Sequence, residues 1–360
     1  MRRLLRVELR RLWARRVTWG ACLLALVAVG LGVAAQVGDA RPPTAAETAQ
    51  AEQWYADELE WWEEDGEEQV ATCLEDQEAD PDPGADYGCD QMEPRLEYFL
   101  PPTVVLFPDA AEREAQGDLA GEPAEDVDPA VAEVQQSFWN GWSGLPAAAT
   151  TALFFLMLAF VVGVSFVTAE QSSGSLGMWL TFEPRRRRVY WSKAVAAALG
   201  TLPVVVGGWA LLVGGLVALY AVFGTVGDPT AEAWVEVATF TGRLALAGML
   251  LAGVGAALAV LLRNAAAAIG VPVVVVWAAS AFSYSLGASQ RWLPGLNLDA
   301  WLRGGATYGY GVPVRLEDGT FTEEWVERAV STGQGGLYLL GVAVVITVLA
   351  VVVFRRRDVS

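Results

Sequence analysis

The chain has 360 residues, 54% of them hydrophobic, and a formal net charge of −18; its mean hydropathy of +0.34 is too apolar for an ordinary soluble domain. It contains no histidine, which excludes imidazole catalysis, histidine-ligated zinc or haem, and a histidine-based pH switch. The acidic residues concentrate between Asp39 and Glu133, opposed there only by Arg41, Arg95 and Arg113, so a basic nucleic-acid footprint is missing and nucleic acid is not an expected partner.

Residues 1–16, MRRLLRVELRRLWARR, place Leu5, Leu9, Leu12 and Trp13 at helical spacing among arginines. This pattern predicts an amphipathic helix lying in the cytoplasmic membrane interface. The competing reading is a signal peptide with a small-residue cleavage site near Ala34–Ala35, but an n-region is rarely a long amphipathic helix. Residues 17–36 form the first apolar run, long enough to cross a bilayer.

Residues 37–145 then read as a large acidic extracellular insertion, mostly helical. Thr44 followed by Glu47 is the spacing of a capping box. The helix it opens carries Trp54, Tyr55, Trp61 and Trp62, expected to form a packing face. Cys73 and Cys89 flank the turn-rich Asp80–Gly84, and outside the cell such a pair favours a disulfide over two free thiols. Asp76, Glu78, Asp80, Asp82, Asp86 and Asp90 crowd the same loop and could suit calcium, but their spacing is not that of an EF-hand, so a solvated acidic surface is preferred. Pro101–Phe107 is a short apolar piece expected to pack this domain against the membrane.

Further apolar runs follow at 146–168, 194–223, 242–262, 265–286 and 336–354. Between them lie a loop at 169–193, an external connection at 224–241, a tight cytoplasmic turn at 263–264, an external segment at 287–335 and a basic tail at 355–360. Pro203, Gly207 and Gly208 predict a kink or tilt in the third run, and Pro272 sits in the fifth. In 287–335, Asp318-Gly319 between Val314 and Phe321 predicts a hairpin, and Glu323–Val330 a short helix. Every short basic segment falls on one side in this count. The fold expected is therefore an all-α polytopic membrane protein with six transmembrane helices and both termini cytoplasmic.

No catalytic constellation accompanies these spans. Lys193 is the sole lysine, so no G-x-x-x-x-G-K-[ST] phosphate cradle exists, and G-x-S-x-G and C-x-x-C are also absent. The chain itself is not expected to be an enzyme, and no cofactor or metal is expected. Between their ends the spans carry no Asp, Glu, Lys or Arg, which argues against an ion-coupled carrier. Gly248, Gly253, Gly255 and Ala259 suit close helix packing instead.

The loop 169–193 reads AEQSSGSLGMWLTFEPRRRRVYWSK. Glu170, Gly174-Ser175-Leu176, Leu180-Thr181, Pro184, Arg185 to Arg188 and Lys193 together resemble the cytoplasmic loop of type 2 ABC transporter permeases. In that family a glutamate ends the second span and a lysine opens the third. The basic amphipathic start, the six-span count and Leu293-Pro294…Trp301-Leu302 extend the resemblance over most of the chain, but not over Val37–Leu145.

The resemblance implies a permease subunit of an ABC exporter in a bacterial plasma membrane. It implies a homo- or heterodimer working with a separate ABC ATPase. A path between subunits lined by the apolar, aromatic and hydroxyl groups of the spans would suit a hydrophobic or amphiphilic cargo. Leu176, Met178, Trp179 and Leu180 would form a knob docking in that ATPase; the rival reading lays them on the bilayer surface while the arginines bind anionic headgroups. The alternative function is a membrane-anchored extracellular binding or sensory protein without transport activity.

Overall fold

The computed structural model describes residues 2–79, 87–101, 104–108, 128–132, 134, 145–172, 185–315 and 321–356. Helix α1 (Arg2–Trp13) buries Leu12 completely. A Cβ on Gly200 would lie 3.1 Å from both Leu12 methyls, a tight contact that Leu12 would have to yield to, so the glycine suits the close approach of α1. The Thr18 hydroxyl donates to the Leu12 carbonyl (2.6 Å) and Trp19 Nε1 to the Trp13 carbonyl (2.9 Å). These bonds satisfy the last turn of α1 and fix its corner with α2 (Arg16–Ala35). Helix α2 buries Ala21 and Ala25 and exposes Leu23, Leu26 and Leu31, as a helix facing lipid on most sides must.

Helix α3 (Ala45–Ala79) begins at the Thr44–Glu47 capping box. The Thr44 backbone N–H donates to Glu47 Oε2 (2.7 Å), and the Glu47 N–H donates back to Thr44 Oγ1 (3.3 Å). Cys73 and Cys89 are disulfide-bonded with a Cα–Cα distance of 5.8 Å. The expected aromatic packing face is only partly in use. Tyr55 meets Phe99 edge-on at 5.7 Å, but Trp54 and Trp61 are exposed. Leu106 and Phe107 are fully buried, and their backbone N–H groups donate to the carbonyls of Thr225 and Val226 (3.0 and 2.9 Å). Leu106 and Phe107 therefore pin this part of the 37–145 segment onto the connection 224–230.

The core of the bundle is α4 (Leu145–Ser172) against α7 (Ala231–Leu262). A Cβ on Gly163 would sit 2.2 Å from the Ala252 carbonyl oxygen, and one on Gly255 2.5 Å from that of Phe160. Two glycines thus bring the backbones into contact, the packing that an apolar solvent favours. Of the small residues singled out in the sequence, Gly255, Gly248 (against Val205) and Ala259 pack tightly, but Gly253 faces open space.

The third apolar run is split. Helix α5 (Arg186–Gly200) stops at Thr201 and α6 (Leu202–Phe223) resumes with proline in its first turn. Pro203 has no N–H to give to the carbonyl four residues earlier, so the hydrogen-bond ladder is interrupted there, but Thr201 keeps helical dihedrals and Arg187–Phe223 continues as one long span. Helix α8 (Ala265–Ala281) has only 17 residues, roughly 25 Å of rise against a ~30 Å hydrocarbon core. It bends by 114° into a 3-10 segment, Ser283–Trp292. Among the described residues, five helices are long and apolar enough to cross a membrane, and six if this bent pair counts as one span.

Helix α9 (Pro294–Arg303) lies against α10 (Thr332–Arg356): a Cβ on Gly335 would be 2.5 Å from the Asn297 carbonyl. Between them strands β1 (Gly305–Arg315) and β2 (Phe321–Ser331) form an antiparallel hairpin with Gly305 opposite Ser331 and Arg315 opposite Phe321. The short helix expected at Glu323–Val330 is a strand. Thr322, Val326 and Val330 fall on alternate-residue positions of one face, the period-two pattern of a β-branched strand. Trp325 also needs the space above Gly309, whose Cβ would lie 2.4 Å from its ring. The fold is thus mostly helical and polytopic, with one hairpin.

Candidate functional site

Three helices meet where α4 ends and α5 begins, and they meet through charge. Glu8 on α1, Glu170 in the last turn of α4 and Lys193 in the second turn of α5 are 1%, 4% and 4% exposed. Lys193 Nζ donates to both carboxylate oxygens of Glu8 (3.1 Å each) and to Glu170 Oε2 (2.5 Å). These bonds use all three protons of the ammonium. Arg15, at the α1–α2 corner, donates to Glu170 Oε1 and to the Ser165 carbonyl (3.2 Å each). Arg11 stands 3.9 Å from Glu170 at the rim.

Phe166 lies under the cluster, its ring centroid 5.0 Å from the Arg15 guanidinium and 5.3 Å from Lys193 Nζ. The aromatic face supplies negative potential on the side where no carboxylate stands. Two buried carboxylates thus face Lys193 and Arg15, with Arg11 adding a third positive charge at the exposed rim. Isolated, any of these charges would cost several kcal/mol to bury.

Helix geometry makes the arrangement possible. Phe166 and Glu170 are four residues apart and so share a face of α4. Lys193 follows Val189 and Tyr190 on the buried face of α5, and Tyr190 meets Phe354 of α10 at 6.3 Å. The basic end of α10 is thereby joined to the same region.

The cluster brackets the loop 169–193. Glu170 and Lys193 are 23 residues apart in sequence but directly hydrogen-bonded, so the described residues that flank the loop are tied to each other and to α1. Arg185, another residue singled out in the sequence, caps α5: its carbonyl accepts from the N–H groups of Arg188 (2.8 Å) and Val189 (3.4 Å). Gly174, Ser175, Leu176, Met178, Trp179, Leu180 and Pro184 lie outside the described residues.

Sequence reasoning found Glu170 and Lys193 but missed Glu8 and Arg15. A signal was present, since Glu8 is the only acidic residue before Asp39 in a run crowded with arginines. An odd charge on an otherwise basic helix suggests a specific buried partner.

The geometry defines a polytopic membrane protein whose arginine-rich end carries a charge-locked loop between two spans. The chain belongs to the ABC-2 family of transporter proteins, whose family model matches residues 3–359. It is therefore an ABC-type permease, as the loop motif implied. No curated protein and no solved structure matches it.

Proposed function

We propose that this permease is the membrane half of an exporter, driven by a separate ATPase that docks on the loop 169–193. The single observation that carries this reading is the buried Glu8–Lys193–Glu170–Arg15 cluster at the loop's base. A push on a loop with free ends would be lost in bending. With its feet locked to each other and to α1, displacement of the loop moves α4, α5 and the interfacial helix as one body. Hydrolysis belongs to the partner, since the chain's sole lysine is held by two carboxylates and is not available to cradle phosphates.

In this reading the arginine-rich end is cytoplasmic, the acidic domain lies outside a bacterial plasma membrane, and two permease subunits act together. The absence of ionisable side chains between the span ends supports a hydrophobic or amphiphilic cargo.

The test is copurification of the candidate ATPase with Met178→Glu/Trp179→Glu at matched membrane abundance. Insertion should be unchanged, because neither residue lies in a span. ATPase recovery should fall on the order of a hundredfold, the effect of an unpaired charge forced into a docking groove. Unchanged recovery would overturn the reading and favour an anchored receptor using the exposed Trp54 and Trp61.

A further inference from the structure

A groove of about 510 Å³ runs between α5 and α10, with α7 as its floor. Its walls are apolar and largely exposed: Trp191 and Val195 on α5, Val344, Val348 and Val352 on α10. The floor opens at Gly253, where an added Cβ would meet nothing within 4 Å. Along α10 the lining runs from Leu340 to Arg355, a rise of about 22 Å. A ~30 Å hydrocarbon core leaves roughly half that length to each leaflet, so the groove can take an acyl chain of one leaflet.

Arg187 in the first turn of α5 and Arg355 in the last turn of α10 close the groove at the basic end, and both are exposed. Among the described residues, no acidic one lines it. Among the described residues, no carboxylate lies within ion-pairing distance of either guanidinium. This contrasts with Arg15 and Lys193 nearby, whose charges are answered inside the protein.

We propose that this groove is a binding site for a resident anionic phospholipid of the cytoplasmic leaflet. Its acyl chain would lie over Gly253 and its phosphate between Arg187 and Arg355. Arginine pairs bind phosphate through directed N–H donors, and the apolar channel below them continues at leaflet depth. A second copy of the chain fits this site less well. It would have to bury two guanidiniums in an interface to which the groove's own lining contributes no carboxylate. The proposal goes beyond transport, since it holds whether or not an ATPase binds the loop.

The full chain would be reconstituted with equal phosphatidylglycerol and phosphatidylcholine, extracted into mild detergent and examined by native mass spectrometry. The wild type should retain phosphatidylglycerol with a preference on the order of tenfold or more, as two basic residues beside an anionic surface provide. Arg187→Gln/Arg355→Gln should abolish the preference while leaving the fold intact, both side chains being exposed. Gly253→Phe should block retention by filling the channel, with the arginines untouched.

Equal retention of both lipids by the wild type would overturn the proposal, and so would an unchanged preference in the double-Gln variant. Loss of dimer in Gly253→Phe with lipid retention unchanged would give the groove to a second copy instead. Release of the lipid only during ATP turnover with the partner would make it cargo and not a resident.

Discussion

At the basic end of the bundle, Glu8, Glu170, Lys193 and Arg15 are paired largely away from water, while elsewhere Arg41–Glu47, Arg95–Glu97 and Asp128–Arg328 pair in the open. The chemical partners are the same kinds of group. What differs is the alternative each group has when its partner is removed. An exposed charge returns to water, so its pair is worth little. A buried charge has nowhere to go, and its partners are thereby forced into one geometry. The buried cluster can fix helix positions, whereas the exposed pairs can only decorate them.

The sharpest way to break this contrast is Lys193→Met. It strips Glu8 of both its described hydrogen bonds and leaves Glu170 to the arginines. A loss of about 3–5 kcal/mol is expected, the usual effect of orphaning a buried ion-pair partner. Unfolding in mixed micelles measures it, and Glu8→Gln added to Lys193→Met should recover part of the loss by removing the stranded carboxylate. If Lys193→Met is no worse than Arg95→Ala, the cluster is not a lock, and the account of joined loop ends fails with it.

The segment around α3 relies on a covalent link where the basic end uses charge. Cys73→Ser/Cys89→Ser opens a loop with a sequence separation of 16, which should lower the local stability of that segment by about 3 kcal/mol. The bundle should not respond, because the disulfide touches no span. Limited proteolysis separates the two. Faster cleavage between Ala45 and Phe99 with intact span fragments is expected, and equal loss in both regions would mean that the domains unfold together.

How much of this was legible in the sequence follows the range of each interaction. The capping box was readable because Thr44 and Glu47 are three residues apart and their bonding is local. The apolar runs were readable because a bilayer demands about 20 of them in a row. The strand at Phe321–Ser331 was misread as a helix because Glu323, Glu324, Glu327 and Arg328 look like helix-surface charges, while its alternation and the space over Gly309 count only once β1 is beside it.

The same limit applied to the site. Glu170 and Lys193 were found through a motif, but Glu8 lies 162 positions before Glu170 and no local pattern links the two. Glycine roles were equally hidden: Gly253 and Gly255 look alike in sequence, yet one opens a groove and the other touches the Phe160 carbonyl.

The smallest effect expected is at the exposed end of the comparison, in the Thr44–Glu47 capping box. The Thr44 backbone N–H, then the Thr44 hydroxyl and Arg41, hold the Glu47 carboxyl below its ordinary value of 4.5. Because the folded value is the lower one, the contribution is fully present above 4.5 and is lost as the pH falls through the folded value. Protonation removes charge from the acceptor of the Thr44 N–H, so the first turn of α3 should fray in acid before the middle of that helix does. Amide hydrogen exchange at Glu47 and Thr48, corrected for the intrinsic pH dependence, reads this locally. It is not masked by the many other carboxylates of α3. Glu47→Gln should flatten the pH response while leaving the turn formed, because the amide oxygen still accepts from Thr44. If the wild type and Glu47→Gln show the same acid response, the capping carboxylate is not what holds the helix start, and the fraying belongs to the net charge of the domain instead.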